Sequence, residues 1–425
     1  MDKPKLNRDF FAKKRKELLQ LLEPQSTAFV VSTDQLPRNG DQTFPFRQNS
    51  DLFYLTGIDQ EQTILALCPE HPNPAYREVL FIRRSSKQTE VWEGHKLTQE
   101  EAKEISGINN IHWFDTFESI LPELMYYSQN IYISENSNFR YQRFYDDSYL
   151  RFIKRLQFLY PLHNYKRLSN LITKLRLIKS KEELDVIKYA IELTNQAFLR
   201  VLKFIRPGVC ECEIEAEITH EFIRNGVRNH AYMPIIASGK DNNVLHYIFN
   251  NKVCQENDLV LMDFGAEYLN YAADLTRTVP VSGRFSKRQK QVYNAVLDIQ
   301  QQMIKSIKPG QTINRINKEA DRLTSEKLIE LGLIDKNEVN EQEKIKKYFP
   351  HGLSHFMGLD VHDVGTKDTQ LEPGMVITVE PGIYIEEEGF GVRIENDILI
   401  TEQGTEDLMK NIPSNSEEIE LLMNA

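Results

Sequence analysis

Two aspartates stand among apolar residues in the stretch 259–278, LVLMDFGAEYLNYAADLTRT. The stretch predicts a β-hairpin, in which Asp263 alternates with leucines where an apolar residue is expected. Asp274 lies in the returning strand, and Asn270 suits the turn because asparagine tolerates positive φ. Across a two-residue loop, residues an odd number of positions apart share a face, so the two carboxylates should point the same way, side by side. Such a pair persists when it shares a proton or when a multivalent cation lies between the groups.

Three further stretches carry polar residues where a protein core is expected. HGLSHFMGLDVHD contains three histidines, and GMVITVEPGIY ends a strand of β-branched residues with a glutamate. GVRIENDILI alternates an arginine and two acids with apolar residues. The candidates in these stretches are His351, His355, His362, Glu380, Arg393, Glu395 and Asp397.

Charge matching favours a metal centre over a bare group of acids. Two Asp, two Glu and one His among apolar strands carry about four negative charges, which two divalent cations and a hydroxide would reduce to about one. A single divalent cation would leave about two negative charges. Paired ions about 3.5–4 Å apart polarise a carbonyl and activate a shared water. Oxygen ligands with one imidazole favour Mn²⁺, with Fe²⁺, Co²⁺ or Zn²⁺ as alternatives.

Each candidate also has an ordinary structural explanation. Asp263 alone is as readily a strand-end residue that makes turn hydrogen bonds, and Arg393 beside Glu395 is readily a structural ion pair. A lone His351 is more often a satisfied polar residue than a functional one. These explanations weaken because all the stretches occur in one order in one domain. A carboxylate-only hydrolase, with an acid/base pair of aspartates, is a further alternative, and it predicts activity that is indifferent to chelators.

Composition narrows the class of protein. The chain has 425 residues, enough for two or three domains, and a net charge of −10, which argues against general binding to nucleic acid or anionic membranes. No apolar run approaches the ~18 residues that a membrane span needs. The N-terminus predicts an amphipathic helix and not a secretory signal. The four cysteines, without CxxC spacing, are predicted to be reduced structural thiols, and the predicted compartment is the cytoplasm.

Two domains are predicted, at 1–172 and 173–425, because the pattern of elements changes near the boundary. The first alternates short β-rich runs with helices, which is an α/β pattern. The second has long helices before and after its strands, which suggests a curved sheet backed by helices. The β-rich runs of the first domain are Thr27–Ser32, Leu52–Leu55, Thr63–Cys68, Glu78–Ile82 and Ile131–Ser134.

Taken as a set, these motifs resemble the metal-dependent pita-bread peptidases, which include aminopeptidase P, prolidase and methionine aminopeptidase. The motifs are MDFGAEYLNYAADLTRT, HGLSHFMGLDVHDVG, PGMVITVEPGIYI and GVRIENDILIT, with ASGKDNNVLHY. FRQNSD followed by FYLTG is similar to the N-terminal domain of the aminopeptidase P and prolidase branch, which methionine aminopeptidases lack. The resemblance covers essentially the whole chain. It implies a pita-bread catalytic domain with a curved antiparallel sheet backed by helices, preceded by an α/β domain with a mixed sheet.

The resemblance also implies a role for each matching residue. Glu380 would pass on a proton from the water between the ions, His246 and His362 would contact the substrate, and Arg393 would hold the geometry around the ligands. The metal ligands would be Asp263, Asp274, His355, Glu380 and Glu395, with Asp274 and Glu395 as bridges. The catalytic residues would be His246, His362, Glu380 and Arg393. The substrate would also meet His351, beside the pocket for the proline ring, and Trp92, reaching in from a neighbouring subunit.

The implied activity is hydrolysis of the first peptide bond when proline is the second residue, with a hydroxide bridging two divalent ions, usually Mn²⁺, as the nucleophile. The partners would be such peptides and further copies of the chain, as a dimer or tetramer. Prolidase is the nearest alternative, but it needs a basic clamp for the product carboxylate, which the sequence does not locate. A non-catalytic scaffold on the same fold predicts replaced ligands, whereas all five are present.

Overall fold

A computed structural model describes residues 3–135, 145–338 and 342–425. The chain divides into two compact units. The N-terminal unit spans Lys5–Arg176, and the C-terminal unit contains Leu177–Ala425 with the first residues up to Pro4. Among the described residues, no helix combines the length and the apolar character that crossing a membrane requires.

The N-terminal unit is built on a six-stranded mixed sheet. The strands of this unit are β1 (Ser26–Val31), β2 (Pro37–Asn39), β3 (Gln42–Thr43), β4 (Ile64–Leu67), β5 (Glu78–Ile82), β6 (Asn110–Trp113), β7 (Asn130–Ile133) and β8 (Asn164–Arg167). The strand order in the sheet is β6-β5-β4-β1-β7-β8. β1 runs parallel to β7 and antiparallel to β4, and its six residues are all buried. The helices are α1 (Arg8–Leu19), α2 (Ser50–Thr56), α3 (Lys87–Glu93), α4 (Gln99–Ser106), α5 (Phe117–Tyr126), α6 (Ser148–Leu159) and α7 (Ser169–Leu177). The predicted mixed α/β arrangement is confirmed.

One predicted strand is wrong. Leu52–Leu55 lies inside the helix α2, not in a strand. The side chain of Asn49 caps this helix by accepting a hydrogen bond from the backbone N–H of Leu52 at 2.8 Å, and Gly57 ends it with φ +70°. All seven residues of α2 are buried, so its apolar run has no polar face. A short buried run of this kind does not distinguish helix from strand.

The C-terminal unit contains antiparallel strand pairs that are flanked by long helices, as predicted. The strands are β9 (Ile235–Ser238), β10 (Leu259–Phe264), β11 (Glu267–Tyr268), β12 (Tyr271–Ala272), β13 (Leu275–Pro280), β14 (Val376–Val379), β15 (Gly382–Ile385), β16 (Phe390–Arg393), β17 (Asn396–Thr401) and β18 (Gly404–Asp407). Two three-stranded sheets have the orders β13-β10-β9 and β14-β17-β18. The helices are α8 (Lys181–Phe204), α9 (Glu211–Arg224), α10 (Lys287–Ser306), α11 (Ile313–Glu330), α12 (Gln342–Tyr348) and α13 (Ser416–Met423).

The predicted hairpin is confirmed, and its turn is the two-residue loop Leu269–Asn270. Both residues have positive φ, +47° and +62°, as a type I′ turn requires. Further down the hairpin, a Cβ on Gly265 would lie 1.7 Å from the carbonyl oxygen of Ala273. Only glycine allows the two strands to approach this closely, and this approach occurs directly beside Asp274.

Candidate active site

The hairpin register sets the first two carboxylates on one face. Asp263 in β10 lies opposite Thr276 in β13, and Asp274 precedes Thr276 by two residues. Residues two apart in a strand share a face, so Asp263 and Asp274 are diagonal neighbours. The prediction of a common face is confirmed, although the two residues are not directly opposite each other. Both are buried.

A short extended segment brings a histidine and a glutamate to the same place. Residues 353–357 run alongside β14, with the backbone N–H of Glu380 donating to the carbonyl of Leu353 and that of Thr378 to the carbonyl of His355, each at 2.9 Å. This pairing places Nε2 of His355 at 3.7 Å from Oε1 of Glu380 and at 3.4 Å from Oδ2 of Asp274.

The last carboxylate comes from the turn between β16 and β17. The backbone N–H of Glu395 donates to the carbonyl of Thr276 at 3.0 Å, and the hydroxyl of Thr276 donates to Oε2 of Glu395 at 2.6 Å. Asp274, His355 and Glu395 offer ligand atoms that all lie within 4.8 Å of one another. Ligand atoms this close can share one cation.

The tautomer of His355 fits a metal ligand. Its Nδ1 lies 3.1 Å from the carbonyl oxygen of Phe356, so this nitrogen carries the proton and donates it. Nε2 faces Asp274 and Glu380, and a bound cation would take the place of the proton that this nitrogen carries in the metal-free protein. Metal-binding histidines characteristically donate their other ring N–H to a carbonyl or carboxylate. The donor set, four carboxylates and one imidazole, therefore suits hard divalent ions.

Arg393 holds the carboxylate cluster from one side. Its Nη2 donates to Oδ2 of Asp263 at 2.6 Å, its Nε to the hydroxyl of Thr276 at 3.1 Å, and its Nη1 to the hydroxyl of Tyr384 at 2.8 Å. The side chain is buried. Arg393 therefore fixes the first aspartate and the threonine that holds Glu395.

Two tyrosines of the site were missed by sequence reasoning. The hydroxyl of Tyr232 lies 2.5 Å from Oδ1 of Asp263 and 2.5 Å from Oδ1 of Asp274. Tyr384 links Arg393 to His351, whose Nε2 lies 2.8 Å from its hydroxyl. Since the chain has 18 tyrosines, neither could be distinguished without the register that aims it inward.

Burial opposes ionisation of the acids. It raises the pKa of Asp274, a rise that the hydrogen bond from His355 limits. It raises the pKa of Glu380 to about 7, and that of Glu395 well above its usual value with the help of the charge on Asp274. The carboxylate of Asp397 accepts a hydrogen bond from the backbone N–H of Asp274 at 3.1 Å, and burial raises the pKa of Asp397 well above its usual value. Such acids need protons or cations to neutralise them.

The pKa values of the two histidines beside the acids shift in opposite directions. Burial alone lowers the pKa of His355, but the hydrogen bond to Asp274 and the charge of Glu380 outweigh it and raise the pKa to about 9. Burial lowers the pKa of His351 to about 3, and the positive charge of Arg393 adds to this effect. His351 is therefore neutral, and its Nδ1–H donates to the carbonyl of Gly352 at 2.8 Å.

The structure places the remaining predicted residues as follows. The ring of His362 packs edge-on against that of His355, with 4.4 Å between centroids, and it is exposed. His246 is exposed and lies close enough to His351 to make a small contribution to its lowered pKa. Trp92 belongs to the N-terminal unit, in α3, where its side chain is 82% exposed.

Both units match known families. Residues 185–402 match Metallopeptidase family M24, and residues 11–132 match Aminopeptidase P, N-terminal domain. The fold and the site thus define a class, the metallopeptidases with a pita-bread catalytic domain, and the predicted fold class is confirmed.

Relatives of known function match the chain over nearly its full length. Xaa-Pro aminopeptidase of Escherichia coli (strain K12) is 35% identical, covering 98% of each chain, and Xaa-Pro aminopeptidase 3 of Homo sapiens is 30% identical, covering 98% of this chain and 86% of the relative. Zinc-substituted E. coli aminopeptidase P in complex with product superimposes with a TM-score of 0.89 at 34% identity, covering 99% of each chain. Pseudomonas aeruginosa aminopeptidase PepP superimposes with a TM-score of 0.92 at 32% identity, covering 99% of this chain and 98% of the other.

The chain belongs to metallopeptidase family M24. It is a metal-dependent exopeptidase of the metallo-aminopeptidase type, and these relatives do not favour the prolidase alternative.

Proposed function

We propose that the protein is an Xaa-Pro aminopeptidase that hydrolyses the first peptide bond of peptides with proline in second place, at a centre for two divalent metal ions. The observation that carries the proposal is the convergence of one donor set around the buried Asp274, which lies 3.4 Å from the imidazole of His355 and shares the hydroxyl of Tyr232 with Asp263. The names of the E. coli and human relatives, Xaa-Pro aminopeptidase or aminopeptidase P, support the substrate class.

The ions would be held by the predicted ligands, and Mn²⁺ is the proposed metal because oxygen donors predominate. Asp274 and Glu395 are the carboxylates proposed to be shared between the two ions, and each also accepts a hydrogen bond from a hydroxyl, that of Tyr232 for Asp274 and that of Thr276 for Glu395. When bound, the ions supply a polarised carbonyl and an activated water.

Glu380 is proposed to move the proton. Its carboxylate oxygens lie 3.7 Å from His355 and 3.8 Å from His351, and the side chain is 19% exposed. The leaving nitrogen of proline belongs to a tertiary amide and cannot depart as an anion, so a proton must reach it as the bond breaks. A carboxyl group at this position can accept a proton from the attacking water and deliver it to the leaving nitrogen.

The histidines are proposed to contact the substrate. His362, packed on His355 but exposed at its outer edge, can donate to the oxygen that becomes negative when the scissile carbonyl is attacked. His246 would contact the peptide from its exposed loop. His351 is fixed by its hydrogen bonds to Tyr384 and Gly352, and it presents a neutral ring that suits the proline side of the pocket.

Trp92 is proposed to contact the site of a neighbouring copy in a dimer or tetramer. An indole with 82% of its surface exposed is unusual for an isolated chain, and tryptophan is enriched where protein surfaces meet. Assembly in solution, measured by light scattering for the wild type and Trp92→Ala, checks this proposal. An assembly and a KM that are unchanged in the variant would contradict it.

The cytoplasmic location of the protein stays a prediction.

A peptide panel tests the activity. Metal-free protein should be inert, and added Mn²⁺ should restore release of the first residue from peptides that begin Xaa-Pro. Matched peptides with alanine in second place should be cut slowly or not at all. Turnover confined to the dipeptide Gly-Pro, with none on longer peptides, would instead identify a prolidase. Equal activity in chelated and metal-loaded protein would contradict a metal-dependent cut.

A further inference from the structure

Two cysteines outside the active site meet at the start of α9. Cys210 is the residue before this helix and Cys212 is the second residue within it, and their sulfurs lie 2.8 Å apart. The residue between them is helical, which places their Cα atoms roughly 5.4 Å apart by helix geometry. Disulfides span Cα distances of about 4.4–6.8 Å. The spacing and the side-chain directions therefore permit a bond between the two sulfurs.

Accessibility separates this pair from the other two cysteines. Cys212 is exposed and Cys210 is partly exposed. Cys68 and Cys254 are buried, and burial raises the pKa of both thiols, that of Cys254 to about 12. The hydrogen bond with Cys210 also raises the pKa of Cys212, so accessibility is what distinguishes the pair. Because a reagent must reach the sulfur, the pair on α9 is, of the four cysteines, the one available to a soluble oxidant.

The residue between the two cysteines anchors a loop of the catalytic unit. Glu211 is fully buried, and its carboxylate accepts hydrogen bonds from the hydroxyl and backbone N–H of Ser238, at 2.6 and 2.7 Å, from the hydroxyl of Tyr247 at 2.9 Å, and from the backbone N–H of Lys252 at 3.0 Å. Its own backbone N–H donates to the carbonyl of Lys252 at 2.8 Å. Glu211 thus ties the segment 239–252, which carries His246, to the start of α9, through Ser238 directly before the segment and Lys252 at its end.

We propose that Cys210 and Cys212 form a reversible redox site, a dithiol that closes to a disulfide and thereby alters the segment 239–252 through Glu211. Closure replaces a non-bonded contact by a bond of about 2.04 Å with a restricted dihedral angle. The main chain of Glu211 lies inside the ring that forms, so its backbone must adjust. The effect on activity rests on the proposed substrate role of His246, whereas the disulfide itself does not.

The oxidant is a low-molecular-weight disulfide. One cysteine thiolate attacks it, forms a mixed disulfide and releases one small thiol. The second cysteine thiolate then displaces the other small thiol and leaves the bond between Cys210 and Cys212. The two cysteines lose two electrons and two protons in total, and the reagent leaves as two small thiols.

Mass spectrometry of the metal-loaded full chain after incubation with oxidised glutathione tests the site. The peptide with both cysteines should lose two hydrogen masses and retain no glutathione, and a reductant should reverse the change. In Cys212→Ser the reaction should stop with glutathione attached to Cys210. Two unmodified thiols, or glutathione retained on the wild-type pair, would overturn the proposed site.

Kinetics and hydrogen exchange test the coupling. Oxidation of the wild type should raise KM for an Xaa-Pro peptide at least about twofold, reversibly, and should speed exchange of backbone amides in 239–252. The double variant Cys210→Ser/Cys212→Ser should show the same KM and exchange with and without oxidant. A disulfide that changes neither KM nor exchange would overturn the coupling. Should the reduced wild type cut no Xaa-Pro peptide, the proposed function fails, while mass and exchange still decide this inference.

Discussion

The hydroxyl of Tyr232 lies 2.5 Å from Oδ1 of both Asp263 and Asp274, so one phenol bridges the two carboxylates of the hairpin. A single O–H can donate to only one of them at a time, and burial together with the charge of Asp263 raises the pKa of Tyr232 well above its usual value. The phenol therefore keeps its proton and stays a donor. It holds the Oδ1 atoms of both aspartates close together, although the residues are diagonal neighbours.

Tyr232→Phe should weaken metal binding about 10–100-fold, because it removes the outer hydrogen bond that orients two ligands. Isothermal titration calorimetry of the metal-free variant with Mn²⁺ measures the change in affinity. Tyr268→Phe is the matched control, since its hydroxyl donates to the carbonyl of Pro4 at 3.0 Å and it lies at the turn end of the same hairpin. Equal affinity in the wild type and Tyr232→Phe would show that the phenol does not organise the ligands.

Asp274→Ala should lose both ions, because a carboxylate proposed to be shared by two ions cannot be replaced by a ligand to one. Metal analysis after dialysis should give less than about a tenth of the wild-type content. Asp298→Ala serves as the control, since Asp298 pairs with Lys327 on the surface of α10 and should retain full loading. Retention of either ion by Asp274→Ala would contradict the bridging role.

The local geometry of the site could be predicted from the sequence, because it depends on short-range patterns. Alternation in β10 and the turn residue Asn270 are enough to place Asp263 and Asp274 on one face. The same reasoning failed at Leu52–Leu55, since a fully buried run has no polar face to show its period.

The outer hydrogen bonds of the site could not be predicted, because they join residues that are far apart in the chain. Thr276 donates to Glu395 and accepts from Arg393 only because β13 lies beside the end of β16 and the turn that follows it. Neither periodicity nor turn chemistry reports that adjacency. Tyr232 reaches the aspartates for a similar reason, since β9 pairs with β10 in a register that the sequence does not reveal.

His362→Ala should keep its metal content but lose kcat by about 10²–10³-fold, the usual loss when one donor to a developing oxyanion is removed. Steady-state kinetics on an Xaa-Pro peptide, with metal analysis of the same sample, separates the two effects. His220→Ala, at an exposed position on α9, should leave both unchanged. A wild-type kcat in His362→Ala would remove this histidine from the reaction.

Metal-free protein should become less stable as the pH rises. The folded-state pKa of Glu380 is raised from 4.5 to about 7 and that of His355 from 6.5 to about 9. The lowered pKa of His351 acts in the opposite direction up to about pH 6.5. Between about pH 6.5 and about pH 9 the folded state therefore binds more protons than the unfolded state, and the free energy of unfolding falls as pH increases. Each 1 kcal/mol lost should lower Tm by roughly 2–4 °C.

Excess Mn²⁺ should remove or reverse this trend, because an ion replaces the protons and binds the deprotonated ligands more tightly at higher pH. Differential scanning calorimetry across this range, with and without metal, measures both slopes. Glu380→Gln should reduce the metal-free slope below about pH 7, since the amide does not titrate. A metal-free Tm that stays level or increases from about pH 6.5 to about pH 9 would mean that the buried acids are neutralised by neighbouring side chains alone, and that the donor set does not require cations.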